Sequence, residues 1–459
     1  MGYTDYHAAV GQSAKSMKLP IFEKVAYSFT DLAGNLLYVT ISTFIMYFYT
    51  DVAKISVASA GLILLLARIF DGVSAPIWGS IVDHTHTKWG QSRPYFLWLA
   101  ILFALTVFIA FLAPNLSPPG KVWYAGITYV LAAGIVYTGI QTPITAILPN
   151  LTTDHTERIN ANSFRMIGGL IGSILTSTFC LPLVAFFGKG NDKIGFMWTL
   201  GIFGLIAIVL LFTAFVNVHE RTQVTEAVPF KDSLKATVGN RPWYILVIAF
   251  VIFWISQADR MTMSIYYAKY NLGNEQLTSI FQVLQIVGII ATILIPFLVK
   301  VTNKTRTMMI GLLIATIGQA SMAFVGGNFV LVIIAWGVGV FGSSIAIAMP
   351  FAMLADTVDF GEWKTGIRAS GFLTAVGAAF CIQVGSGLGS FIPSKIMAAA
   401  RFVANRTQSV SSLSAIHFCF IWLPVIVYAV VAAIMALYPK YEKMESQIKA
   451  DLDSRRVNN

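Results

Sequence analysis

An arginine and an aspartate three positions apart, Arg68 and Asp71, stand inside the apolar run "LLLARIFDGVSAPIWGSIVDHTHTKWG" from Leu64 to Gly90. Residues at i and i+3 share a helix face, and Asp71 precedes Asp83 by twelve residues, about 18 Å along a helix. That depth is the middle of a bilayer-crossing segment, where a charge costs at least about 2.5–3.5 kcal/mol and faces a cavity or another polar group. Two kinds of chemistry fit. Either the pair closes on itself and fixes helix packing, or Asp71 takes up a proton or a metal cation while Arg68 tunes its hold. The next position on that face, Ala75, carries nothing polar.

Four more apolar stretches hold polar side chains. Asp31 and Asn35 fall at i and i+4 in "SFTDLAGNLLY", with Asp31 close enough to the helix end that an ion-pair gate and a ligand contact are both open readings. In "YTGIQTPITAILP", Tyr137, Thr138 and Gln141 precede Pro143 and Pro149, which interrupt the helix and free carbonyls to line a cavity. Arg165 sits about one turn into the span after that. "WISQADRMTMSIYYAKY" carries Gln257, Asp259 and Arg260; adjacent helical residues point about 100° apart, so Arg260 either reads a substrate carboxylate or satisfies Asp259 or Asp31. Tyr266 and Tyr267 read as an interfacial aromatic belt or as faces that stack on sugar rings. The plain alternative for the whole set is interhelical hydrogen bonding. Six histidines and three cysteines, Cys180, Cys381 and Cys419, have no metal-ligand or nucleophile–base spacing, which argues against an enzyme, a metal site, a disulfide framework or a cofactor.

The elements that hold these residues are membrane spans. The chain is 56% hydrophobic and 11% charged over 459 residues, against about 25% charged in soluble domains. A ruler of about 20 apolar residues gives twelve candidates: 26–49, 56–82, 94–113, 122–148, 160–187, 194–217, 242–268, 277–299, 307–325, 328–354, 369–394 and 413–438. They are called spans 1 to 12 below. The first twenty residues lack the pattern of a cleaved signal. With the N-terminus inside, the inner segments hold twenty Lys and Arg and the outer loops eight, so both termini are expected in the cytoplasm, with the chain in the cell membrane. The net charge of +10 is thus topology, not a nucleic-acid footprint, and membrane lipid is the expected surrounding partner.

The longest inner connection divides the chain into an N-terminal half at 1–217, a linker at 218–242, a C-terminal half at 243–440 and a cytoplasmic tail at 441–459, with an amphipathic turn on the membrane surface from Phe230 to Ala236. "DHTERINANSFRMIGG" after span 4 and "DTVDFGEWKTGIRASGF" after span 10 form a loose repeat, each opening on an acid and reaching an arginine before a glycine-containing helix.

Taken in order, "KVAYSFTDLAGN", "YFYTDV", "ARIFDGVSAP", "DHTHTKWGQSRPY" and "ADTVDFGEWKTGIR" resemble the glycoside–pentoside–hexuronide:cation symporters of the major facilitator superfamily, over essentially the whole chain. The resemblance implies an all-α membrane protein with twelve transmembrane helices in two pseudo-symmetric six-helix halves. It implies alternating-access transport of a sugar or glycoside with a coupling cation. The cation site would use Asp71, Ser74 and Thr138, with Arg68 beside them; the sugar site would use Asn35, Gln141 and Arg165, extended to Asp31, Tyr137, Gln257, Arg260 and Gln383. Asn35 and Gln141 replace two acids of melibiose permease, and Ala75 replaces a second cation-site carboxylate. One carboxylate halves the charge compensation of a dehydrated sodium ion, whereas a proton needs one base, so proton coupling is favoured over sodium. The alternatives are an uncoupled facilitator or a lysolipid carrier of the same branch. Asp83, Lys88, Arg93, Asp154, Arg158, Asp356, Asp359, Glu362 and Arg368 would form a cytoplasmic gate that latches the outward-facing state.

Overall fold

A computed structural model describes residues 18–152, 155–221, 235, 237–325, 328–367, 373 and 376–458. Eleven helices among them are long and apolar enough to cross a membrane: Ile21–Val52, Val57–Val82, Pro118–Ala146, Asn160–Gly188, Asp192–Asn217, Arg241–Asn271, Leu277–Val301, Lys304–Phe324, Phe329–Thr365, Val376–Ala399 and Val410–Met435. They are spans 1, 2 and 4 to 12 of the sequence reading. Span 3, expected as one helix, is instead Arg93–Trp98 followed by Ala100–Ala110. The ladder runs on through Leu99, whose N–H reaches the Tyr95 carbonyl at 3.0 Å and whose carbonyl accepts from Phe103 at 2.8 Å. The break is a slack turn and the count of twelve stands.

Side-chain caps start several spans. Asn191, Asn240, Asn303, Asn328 and Ser409 each accept a backbone N–H from the first turn of the helix they precede, at 2.8–3.5 Å, satisfying donors that no carbonyl can reach. Span 10 outruns its expected end at 354. It continues to Thr365 and stops where Gly366 turns left-handed at φ 73°, so Asp356, Asp359 and Glu362 ride on the helix itself. Widened π-helical turns occur at Phe48–Val52, Val130–Val136, Tyr267–Asn271, Val376–Phe380 and Phe418–Trp422; such turns often mark functional positions.

Packing gathers the chain into two compact units, Met1–Ile41 with Val73–Leu112 and Thr128–Thr225, and Ser42–Gly72 with Ala113–Ile127 and Glu226–Asn459. In the first, spans 1 and 5 touch through glycine: a Cβ on Gly168 would stand 2.1 Å from the Ser28 carbonyl oxygen, and one on Gly172 2.5 Å from that of Leu32. In the second, the core is Trp243, Phe250, Phe253, Met308, Leu312, Met353 and Tyr428 with their neighbours. Ile448 and Leu452 of the terminal helix Glu445–Asn458 bury against Phe360, beside Trp363, whose indole donates to Asp451 at 2.9 Å. Ile69, Phe70, Val73 and Ile77 on span 2, and Ile290, Ile293 and Phe297 on span 8, leave apolar faces exposed. The expected surface turn from Phe230 to Ala236 lies outside the described residues, apart from Lys235.

Candidate functional site

The close approach of spans 1 and 5 brings Arg165 onto Asp31. Arg165 Nη1 lies 2.9 Å from Asp31 Oδ2, and Nε and Nη2 both donate to Asn162 Oδ1, at 3.1 and 3.0 Å. Gln141 of span 4 approaches the other oxygen of Asp31 at 3.5 Å. Asn35 donates to the Asp31 carbonyl at 2.9 Å, while its Oδ1 accepts from Ser173 at 3.4 Å. Four predicted substrate residues thus form one partly buried cluster. Tyr137, one turn from Gln141, stacks on Tyr38 with ring centres 4.4 Å apart and tilts against Phe103. Amide donors and acceptors, a guanidinium and an aromatic wall are the groups that recognise hydroxyls on a ring.

The span 2 pair is built differently. Arg68 Nη1 stands 3.8 Å from Asp71 Oδ2, both side chains buried, and donates at 3.0 Å to Gln383 Oε1 on span 11. Gln383, expected at the sugar, therefore anchors the arginine of the charge pair. One turn beyond Asp71, Ser74 donates to the Gly134 carbonyl at 2.5 Å, and Thr138 contacts the same oxygen at 3.5 Å. Gly134 lies in the widened stretch Val130–Val136, where looser pairing opens carbonyls to side-chain donors. The hydroxyls predicted for the cation site thus converge on one backbone oxygen.

Span 7 holds a third polar group. Arg260 is 3% exposed; its Nη1 donates to Ser343, Tyr428 and Gln257 at 3.0, 3.1 and 3.3 Å, and its guanidinium lies 4.2 Å from the Trp336 ring centre. Within the described structure neither oxygen of Asp259, nor Nε and Nη2 of Arg260, has a hydrogen-bond partner. Tyr266 and Tyr267 are not an interfacial belt. Both are buried, Tyr266 against Thr50 at 2.8 Å and Tyr267 stacked on Phe420 at 4.5 Å, because span 7 packs inward at that end.

Four of the nine expected gate charges, Lys88, Arg93, Arg158 and Asp356, make side-chain contacts as follows. Arg93 binds the carbonyls of Phe215 and Val216, at 2.6 and 3.3 Å, closing the end of span 6. Arg158 Nε donates to the Thr152 carbonyl at 2.7 Å, and the Lys88 ammonium lies over the Trp89 ring. Asp356 binds Lys304 at 2.6 Å, which also reaches Glu445 at 3.0 Å. Asp359 lines a cleft with Tyr438 and Glu442, and the Glu362 carbonyl caps the end of span 10 by accepting from Gly366. Asp154, Arg368 and the side chain of Asp83 lie outside the described residues.

Sequence reasoning missed the acids that organise this face. Glu220 accepts the N–H groups of Gln91, Ser92 and Arg93 at 2.7–3.1 Å, capping span 3. Glu23 grips Arg221 through two bonds of 2.8 and 2.7 Å, whose first effect is to raise the guanidinium above its ordinary pKa. Glu157 binds Lys24 at 2.7 Å. Each pairing spans more than a hundred residues of chain, so no spacing announces it.

The profile of a family described as MFS/sugar transport protein matches residues 26–441. The isoprimeverose transporter of Lactiplantibacillus pentosus is 38% identical over 95% of this chain and 92% of its own length. The inner membrane symporter YicJ of Escherichia coli (strain K12) is 28% identical over 92% of this chain and 93% of its own. Among solved structures, a D-xylose-proton symporter superposes over 90% of this chain and 97% of its own with a TM-score of 0.65 at 15% identity, a likeness of fold.

Proposed function

The chain belongs to the MFS/sugar transport family, and from that membership we propose that it carries a neutral glycoside across the cell membrane, driven by protons taken up at Asp71. The substrate class is supported by the 38% identical isoprimeverose transporter and by the uncharged amides at Asn35 and Gln141. Asp31 already neutralises Arg165 at 2.9 Å, leaving the cluster without a spare positive charge for a hexuronide. A lysolipid would need a continuous apolar slot in place of these amides.

The observation that carries the coupling is the arrangement around Asp71. It stands on a helix face with no second acid at Ala75, and its arginine lies closer to Gln383 than to it. At this separation the attraction between Arg68 and charged Asp71 is on the order of 4 kcal/mol for an effective dielectric near 20. Protonation removes it and leaves Arg68 to Gln383. A proton that shifts Arg68 between partners in this way would couple to transport if the two conformations hold the arginine differently, which is the differential binding coupling requires. The halves at 1–217 and 243–440 would rock about the midplane, with the linker at 218–242 between them.

The orientation is inferred from the excess of Lys and Arg in the segments expected on the same side as the termini, and the cell-membrane location is supported by the name of the inner-membrane relative. That face would be cytoplasmic. The gate charges, Asp83 and Arg93 among them, would hold it shut when the site opens outward.

Counterflow in proteoliposomes tests the substrate. Vesicles loaded with unlabelled isoprimeverose should accumulate labelled isoprimeverose transiently, and external neutral glycosides should compete where a glucuronide and a lysolipid do not. Exchange of the glucuronide alone would overturn the neutral-glycoside reading.

A further inference from the structure

At the end of span 1 remote from the N-terminus, Asp51 is an acid that none of the sites above uses. We propose that Asp51 and Lys269 form the external gate of the transport cycle, an ion pair that must part each time substrate enters from outside. The inference builds on the transporter reading and its orientation.

The Asp51 side chain is 1% exposed. Its Oδ1 accepts from Lys269 Nζ at 3.0 Å and from the Tyr270 hydroxyl, and its Oδ2 from Thr50 at 2.7 Å. Its main-chain carbonyl accepts from Lys54 and Asn405, both at 2.6 Å. Asn405, between spans 11 and 12, completes the closure. Held left-handed at φ 57°, it accepts from Lys269 at 3.0 Å and gives its own N–H to the Tyr270 hydroxyl at 3.0 Å. Tyr47 extends the net, donating to Glu275 at 2.8 Å and accepting from Lys269 at 3.0 Å. Three segments more than a hundred residues apart thus converge on one residue, Asp51, two of them on its carboxylate and the third on its main-chain carbonyl.

Three features make this a gate and not permanent glue. Lys269 is 21% exposed and Glu275 30%, so one side of the net meets water and the charges can be rehydrated when they separate. Contacts meant to stay shut elsewhere in the same unit are apolar and interlocked, as in the core around Phe250 and Met353. Both helices also reach the net through widened turns, Phe48–Val52 and Tyr267–Asn271, whose looser pairing tolerates rearrangement.

The seam beneath the net is made of small residues. A Cβ on Gly61 of span 2 would fall 1.8 Å from the Ser394 hydroxyl of span 11, and one on Gly387 would fall 3.0 Å from the Arg68 Cβ. From Gly61 to Arg68 is seven residues forward, and from Ser394 to Gly387 seven back, so the two helices run antiparallel in one register. Small side chains allow such surfaces to meet closely without interlocking. At the deep end of this seam lies the Arg68–Gln383 hydrogen bond. The arginine beside Asp71 therefore reaches span 11, the helix followed by the connection that carries Asn405 into the Asp51 net, and through it the proposal joins cation occupancy to external opening.

The test is cysteine labelling. A reporter cysteine at Ser390→Cys, beside Thr262 and buried below the net, is exposed to a charged, membrane-impermeant maleimide from outside. Protection is expected with Asp51 and Lys269 intact. Asp51→Asn and Lys269→Gln should each raise the labelling rate at least about tenfold, equivalent to about 1.4 kcal/mol of closed-state preference. Gly61→Leu, which wedges the seam without touching a charge, should do the same, and the exchange Asp51→Lys with Lys269→Asp should restore protection. Unchanged labelling in folded, monodisperse Lys269→Gln and Gly61→Leu would overturn the proposal, as would loss of folded protein without a change in labelling. The readout needs no substrate: labelling that rises while every glycoside fails in counterflow sinks the substrate reading and leaves the gate standing.

Discussion

Among the described residues, two arginine–aspartate ion pairs lie on the membrane-spanning helices, and they are made to different tolerances. Arg165 and Asp31 come from different helices, meet at 2.9 Å, and are braced by Asn162 and Gln141. Arg68 and Asp71 come from the same helix, stand 3.8 Å apart, and share the arginine with Gln383. A charge-assisted bond at about 2.7–2.9 Å is strong and directional; one stretched by an ångström is easier to interrupt. The tight pair suits a scaffold that fixes where sugar hydroxyls must fall. The slack pair suits a group that gains and loses a proton on every cycle.

Truncating the tight pair should have the larger effect on the fold. Arg165→Ala leaves Asp31 without its charge partner and should cost about 3–5 kcal/mol, read as a loss of thermal stability in detergent together with loss of counterflow; Arg165→Lys should recover part of the stability. If Arg165→Ala is as stable as the parent, the pair is not the scaffold described here.

Adding an acid to the slack pair should sharpen the contrast. Ala75→Asp restores a second carboxylate one turn from Asp71, and oxygen ligands of this kind suit a hard cation. Uptake at fixed pH should gain a sodium stimulation of about tenfold, about 1.4 kcal/mol of cation binding, where the parent responds to sodium not at all. A sodium response in the parent would mean that other oxygens already complete the site.

A smaller effect is expected at Gln383. Losing a hydrogen bond worth about 1 kcal/mol lets Arg68 settle on Asp71, so Gln383→Ala should need a more acidic exterior for half-maximal uptake, by roughly half to one pH unit. An unmoved pH profile would detach Gln383 from the coupling pair.

The contrast also explains what could be read from the chain alone. Arg68 and Asp71 were visible because a helical register places i and i+3 together, and the spans were visible because apolar length is a local property. That Asn35, Gln141 and Arg165 belong together came from motif resemblance, and the Asp31–Arg165 bond itself, formed across 134 residues, left no mark in the pattern. Asp51 and Lys269 lie 218 residues apart. The tyrosines beside them look like a membrane belt until the fold buries Tyr266 against Thr50. Arg93 was visible as an inner-loop arginine in a charge-rich motif, but its bonds to the Phe215 and Val216 carbonyls at the end of span 6, more than a hundred residues on, were not. Span 3 gave no warning of its slack turn at Leu99, since its apolar run continues on both sides.

The central claim is that Asp71 alone couples transport to protons, and accumulation in proteoliposomes under an imposed inward proton gradient tests it most directly. The parent should concentrate a labelled neutral glycoside above its external level, and the Asp71→Asn protein should equilibrate it without concentrating it while still performing counterflow. Accumulation against the gradient by Asp71→Asn would contradict the account.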